Sequence, residues 1–157
     1  MIDGKDISAD FQFIGNRVSS FALDTRLVYS KGQKVTVDFQ FDYNILRCDA
    51  ENEKHIGIIE FITNGKAKVG RNNLFKIELT MEGAFAGNPN VLTVERFKEM
   101  LEQNGLVTLS QISRSFLLSV TSQSGINPPV RLPMINILAL NEKKKSEQAL
   151  MKNKGEC

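Results

Sequence analysis

Val35-Thr36-Val37-Asp38-Phe39-Gln40-Phe41-Asp42-Tyr43-Asn44-Ile45 is the stretch on which the fold turns. Val35, Val37, Phe39, Phe41, Tyr43 and Ile45 alternate with five polar residues. Successive side chains of an extended chain point to opposite faces, so this alternation predicts one long strand with a dry face and a wet face. The pattern returns at Phe75, Ile77, Leu79 and Met81, with Phe85 in phase and Lys76, Glu78, Thr80 and Glu82 between. Another strand is expected from near Phe11 and Phe13 to about Asp24. Its phase blurs between Gly15 and Ser20, where a bulge is natural.

The stretch from Ile56 to Val69 admits two readings. Asn64-Gly65 is a hairpin signal, yet Ile59, Phe61, Thr63, Gly65, Ala67 and Val69 keep one phase through it. One strand ending at Gly70-Arg71-Asn72-Asn73 is favoured, with Gly65 as a bulge or a point of close approach. Lys31-Gly32 and Asp49 to Lys54 read as connections.

After Asn88-Pro89-Asn90 the period changes. Thr93 is placed to cap a helix with Val94, Phe97, Met100 and Leu101 on one face, ended by Asn104-Gly105. A second helix is expected from about Ser110 to Ser124, with Ile112, Phe116 and Val120 on one stripe and Gly125 as the stop. Its Ser and Thr content is indifferent to helix formation, so packing must hold it. Ile126 to Leu132, with Pro128-Pro129, reads as extended, and Pro133 as the opening of a last helix through Leu140. Residues 141–157 are Lys-rich, with Leu150 and Met151 the only large apolar side chains, and read as a frayed helix end or a flexible basic tail. The expected organisation is a single domain over 1–140 followed by that tail. With strands first and helices last, the fold class is α+β: a four-stranded antiparallel sheet with two or three helices on one face.

Composition narrows the function. The chain has 157 residues, 41% hydrophobic and 24% charged, with a net charge of +2. That balance gives no reason to expect nucleic acid or direct membrane insertion. Met1 to Asp10 carries three aspartates and no apolar signal-peptide core. Cys48, in what reads as a polar loop, and Cys157 make no disulfide framework, which suits a reducing cytoplasm. His55 is the one histidine and lacks any metal-ligand spacing with Cys48 or the carboxylates, so a structural or solvated role is expected. Ser115 and Ser119 have no nucleophile-elbow setting, and Gly83-Ala84-Phe85-Ala86-Gly87 is no phosphate-binding loop. An enzyme is the less expected class, no cofactor is implied, and binding chemistry must come from apolar surface.

Four strands with dry faces make a wider apolar plate than the helices cover. Such a plate either pairs sheets into an oligomer or binds something apolar. By pattern alone, Phe39, Phe41, Tyr43, Phe61, Phe75 and Phe85 read more readily as plain core than as a ligand groove, and Met81, Met100 and Met134 suit either role.

Several strings resemble the SecB family of protein-export chaperones. Phe11-Gln12-Phe13 through Phe21-Ala22-Leu23-Asp24 is similar to its first strand, and Lys34-Val35-Thr36-Val37-Asp38-Phe39 to its second. Leu74 through Met81-Glu82-Gly83-Ala84-Phe85 resembles its most recognisable strand. Ser119 through Gly125, Asn127-Pro128 and Val130-x-Leu132-x-x-Ile135-Asn136-Ile137 resemble its helix, glycine, proline and closing apolar run. The likeness spans most of residues 11 to 140. It implies a cytoplasmic homotetramer, a dimer of dimers, that holds unfolded or precursor polypeptides without ATP. The implied client groove uses Val35, Val37, Phe39, Phe41 and Tyr43, with Ile126, Leu132 and Ile135 as lips. Asp24 and Glu78 match the family's docking face for the SecA motor, whereas Ser20 and Lys76 depart from it, as do the basic tail and the missing Pro-Tyr-Ala before Arg114. One branch of the family guards an antitoxin instead of secretory precursors, so an antitoxin is the alternative partner. A non-chaperone interaction module of the same fold is a further reading.

Overall fold

The computed structural model describes residues 9–26, 35–50 and 53–154, with side chains to Met151. Each alternating stretch is a long strand: β1 Phe11–Thr25, β2 Val35–Ala50, β3 His55–Val69 and β4 Asn72–Gly87. They form one antiparallel sheet in the order β1-β4-β3-β2, which leaves β1 and β2 as edges. Three helices follow: α1 Val94–Met100, α2 Leu106–Gln123 and α3 Ile137–Lys154.

β3 runs straight through Asn64-Gly65. Gly65 lies opposite Phe39, and a Cβ there would stand 2.9 Å from the Phe39 ring. The glycine therefore makes room for an aromatic side chain and does not turn the chain. The reversal comes at Gly70, whose φ of 57° suits glycine. The blurred phase of β1 resolves into two register shifts, between Phe13 and Gly15 and between Val18 and Ser20. Each inserts one residue: the first moves the dry phase to Asn16 and Val18, and the second returns it to Phe21 and Leu23, which face the core again. Lys31-Gly32 lies outside the described residues. Asp49 and Ala50, expected in a loop, still belong to β2, as does Cys48, whose pairing with Gly57 makes it a strand residue.

Thr93 caps α1 as expected: its Oγ1 accepts from the Arg96 N–H at 3.2 Å. Asn104-Gly105 does not end the helix. A single wide π turn, Leu101–Gly105, joins α1 to α2, which begins at Leu106 and not at Ser110. Gly105 keeps helical angles and is buried, with the Phe85 ring 3.5 Å from where its Cβ would be. Here glycine serves close contact between helix and sheet. The buried stripe of α2 is Leu106, Leu109, Ser110, Ser113, Leu117 and Thr121, one position round from the expected Ile112, Phe116 and Val120, which lie half-buried at its margin.

Beyond Gly125 the chain crosses the sheet as an extended strap. Val130 N–H donates to Thr121 Oγ1 at 2.9 Å, and the Val130 and Leu132 side chains are buried. α3 starts at Ile137 rather than Pro133, because Asn136 supplies the cap: its Oδ1 accepts from Ala139 N–H at 3.1 Å. The helix continues past residue 140 to Lys154.

The core joins the dry faces of β3 and β4 to the helices. Ile59, Phe61, Ile77, Leu79, Met81 and Phe85 pack against Phe97, Leu101, Leu106, Leu109 and Leu117, all almost fully buried. Burying each such side chain is worth about 1.5–3 kcal/mol.

Candidate functional site

Sheet width and helix width decide where the site lies. Three spacings of ~4.8 Å set the axes of the two outer strands roughly 14 Å apart, whereas one row of helix is about 10 Å across. The row made by α1 and α2 rests on β3 and β4, with its Leu109 against Gly83 and its Phe97 against Gly87. The dry faces of the two edge strands are left partly bare. On β1, Phe13 and Val18 remain 43% and 39% exposed; on β2, Val35 and Val37 are each 44% exposed.

On the β2 side this gap is a groove of about 620 Å³. Val35, Val37 and Phe39 form one wall, Leu74 and Phe75 lie at its base, and the strap from Ser124 to Arg131 forms the other wall. Of the residues expected to bind a client, the structure thus brings together Val35, Val37, Phe39 and Ile126. The others lie elsewhere. Phe41 stacks between Phe39 and Phe61, with ring centroids 6.1 and 5.9 Å away, and borders a smaller cavity of about 340 Å³ beside α3. Tyr43 is buried, and the Lys144 ammonium stands 5.4 Å from its ring centre. Burial, with the nearby carboxylates of Glu102 and Asp42, pushes its hydroxyl up to about 12. Leu132, expected as a lip, is a core residue at 1% exposure, because the strap turns that side chain into the hydrophobic core. Ile135 is half-buried against the core and outside the groove.

α3 closes the middle of β2. Lys144 Nζ pairs with Asp42 at 2.5 Å on the wet face and contacts Asn44 Oδ1 at 3.3 Å, while also covering Tyr43 on the dry face. Asn141 Nδ2 donates to the Glu102 carbonyl at 2.8 Å. Lysine and a covering helix both shield an edge strand from unwanted pairing.

Asp24 and Glu78 lie on the wet face, one paired in register with Lys76 and the other with Asn64 and Ala22. Each already has a basic partner: Arg26 for Asp24 at 3.9 Å, and Lys76 for Glu78. On the same face Arg17 binds Glu82 at 2.7 Å and holds its carboxyl below the usual range. Ser20 sits opposite Thr80.

Sequence reading did not assign the base of the groove or most of the strap to the site. Pro128-Pro129 after the Gly125 stop was the available signal, since it forces an extended chain. His55 is a strut: its Nε2–H donates to the Leu92 carbonyl at 2.7 Å and its ring lies against Phe97. Cys48 is half-buried, and burial pushes its thiol up. Among the described residues, no cluster of His, Cys, Asp or Glu is arranged to hold a metal ion. Nor is any described helix long and apolar enough to cross a membrane.

No protein-family model matches the chain, and no curated protein sequence is significantly similar to it. Solved structures are similar in fold. The Mycobacterium tuberculosis Rv1957 SecB-like chaperone, in complex with a ChAD peptide from the Rv1956 HigA1 antitoxin, superposes with a TM-score of 0.65 at 14% identity. The match covers 85% of this chain and 96% of that one. A Streptococcus agalactiae protein of unknown function matches with a TM-score of 0.46 at 13% identity, over 79% of this chain and 97% of that one. The chain is thus similar in fold, at a distance, to a SecB-like chaperone.

Proposed function

We propose that the protein is a cytoplasmic, ATP-independent chaperone that captures non-native polypeptide in the groove beside β2. One observation carries this reading: Val35, Val37, Phe39 and Ile126 converge on an apolar groove that the helices leave open. Holding by burial of apolar surface needs neither a catalytic group nor a cofactor. Burial yields about 25 cal/mol per Å², so a few branched or aromatic side chains suffice for capture. The fold likeness to a chaperone that is itself bound to an antitoxin peptide supports the reading.

That same observation favours an antitoxin over export precursors as the client. Lys76 stands on that wet face beside Asp24 and Glu78, a basic group where the resemblance to a SecA docking face calls for an apolar one, which weakens the case for SecA docking there. The bare strip on β1 suits self-association, and a homotetramer built as a dimer of dimers is the proposed assembly.

The test is suppression of aggregation. A denatured client diluted into buffer without nucleotide should stay soluble near one tetramer per chain. Precipitation undiminished at several-fold excess would refute the holdase, leaving the interaction-module reading of the fold. Light scattering of the protein alone tests the assembly, and a monomer at micromolar concentration contradicts it.

A further inference from the structure

The groove is apolar along its walls, but its charged groups have one sign. Among the described residues Arg26 and Arg131 line it, and no aspartate or glutamate does. Asp24 and Asp38, the carboxylates nearest in the strands, belong to the wet face, paired in register with Lys76 and Lys66. Among the described residues Arg131 is exposed and makes no ion pair. Arg26 touches Asp24 only at 3.9 Å, with side chains 65% and 64% exposed, a contact that exchanges readily. A guanidinium binds carboxylate through two parallel N–H donors, and apolar walls strengthen a charge pair by lowering the local dielectric.

We infer that the groove selects extended segments in which apolar side chains alternate with carboxylates, and rejects equally apolar segments carrying lysine or arginine. The inference rests on the holdase reading of the same groove and names the class of client it takes. An extended chain points every second side chain the same way. Apolar residues then enter between β2 and the strap while the intervening acidic ones meet the arginines. The stretch Val35–Phe39 accommodates about five residues of such a chain, roughly 17 Å.

The experiment uses two fluorophore-labelled peptides of about ten residues. Both carry the same Val, Ile and Phe positions; the intervening positions are all Glu in one and all Lys in the other. Anisotropy titrations on the full chain at low salt should show the Glu peptide binding roughly three- to tenfold tighter, the range expected for two partly exposed ion pairs. The gap should narrow as salt rises. R131E should shrink it, R26E/R131E should reverse it, and K143E, at the second cavity, should leave it unchanged. Both arginines are exposed, so the variants are expected to fold; if the double variant does not, R131E alone decides. Equal binding of the two peptides, preference for the Lys peptide, or a gap that persists in R131E overturns the inference while the holdase reading stands. If neither peptide binds and aggregation is not suppressed, it is the holdase reading that falls.

Discussion

Replacing Val35 and Val37 together by serine isolates client binding from folding. Each is 44% exposed in the protein alone, so a bound client has that fraction left to bury. Full burial of a valine side chain is worth about 1.5–2 kcal/mol, and the remaining 44% therefore about 0.7–0.9 kcal/mol each. The pair contributes roughly 1.5 kcal/mol to capture, about tenfold in affinity. Desolvating two hydroxyls against the client adds to the loss. Serine leaves the charge of the groove unaltered. The same chemistry at Phe39 and Phe41 would confound the result, because both rings stack in the row that ends at the buried Phe61. The assay is client anisotropy together with aggregation suppression, with circular dichroism to confirm an unaltered fold. A double variant that folds normally and holds client as well as the parent would refute the argument that this bare strip does the binding.

Three further outcomes are expected. Gly65→Ala places a methyl 2.9 Å from the Phe39 ring and should cost about 1–3 kcal/mol by overpacking, read from chemical denaturation. Thr121→Val removes the acceptor of Val130 N–H, leaving a buried donor unpaired at about 1–3 kcal/mol; faster amide exchange at Val130 and weaker client binding should accompany it, since the strap forms one groove wall. Tyr43, raised to about 12 in the folded protein, gives up its proton less readily there than in the unfolded chain, whose hydroxyl titrates near 10. Its contribution to stability is complete below pH 10 and lost as pH rises from about 10 to 12. Tyr43→Phe should flatten that part of the stability profile, and an unchanged profile would contradict the assigned burial.

The strands were legible from local pattern alone, because a side-chain period of two is a property of the backbone that any folded context must respect. Phe39 and Gly65 show how far this extends: the unbroken phase of β3 outweighed a strong turn dipeptide, and the close-approach reading of Gly65 matches the ring lying over it. Glycine was less legible in the helices. Gly105 reads as a stop by composition, yet it sits inside a continuous helical run beneath Phe85, and only the packing of helix on sheet reveals that role. The start of α3 was misplaced for a related reason: Pro133 suits a helix opening, but the side-chain cap is on Asn136.

By itself, the sequence determined that β2 has one dry face; it could not say which part of that face stays open. Val37 and Tyr43 occupy equivalent places in the same alternation, yet one is 44% exposed and the other 4%. Tertiary structure makes the difference. α3 returns from the far end of the chain to set Lys144 over Tyr43, while the strap holds back from Val37 and leaves a groove. Alternation is written residue by residue, but coverage depends on where distant elements come to rest, and a sheet wider than one row of helix must leave some of its apolar face uncovered.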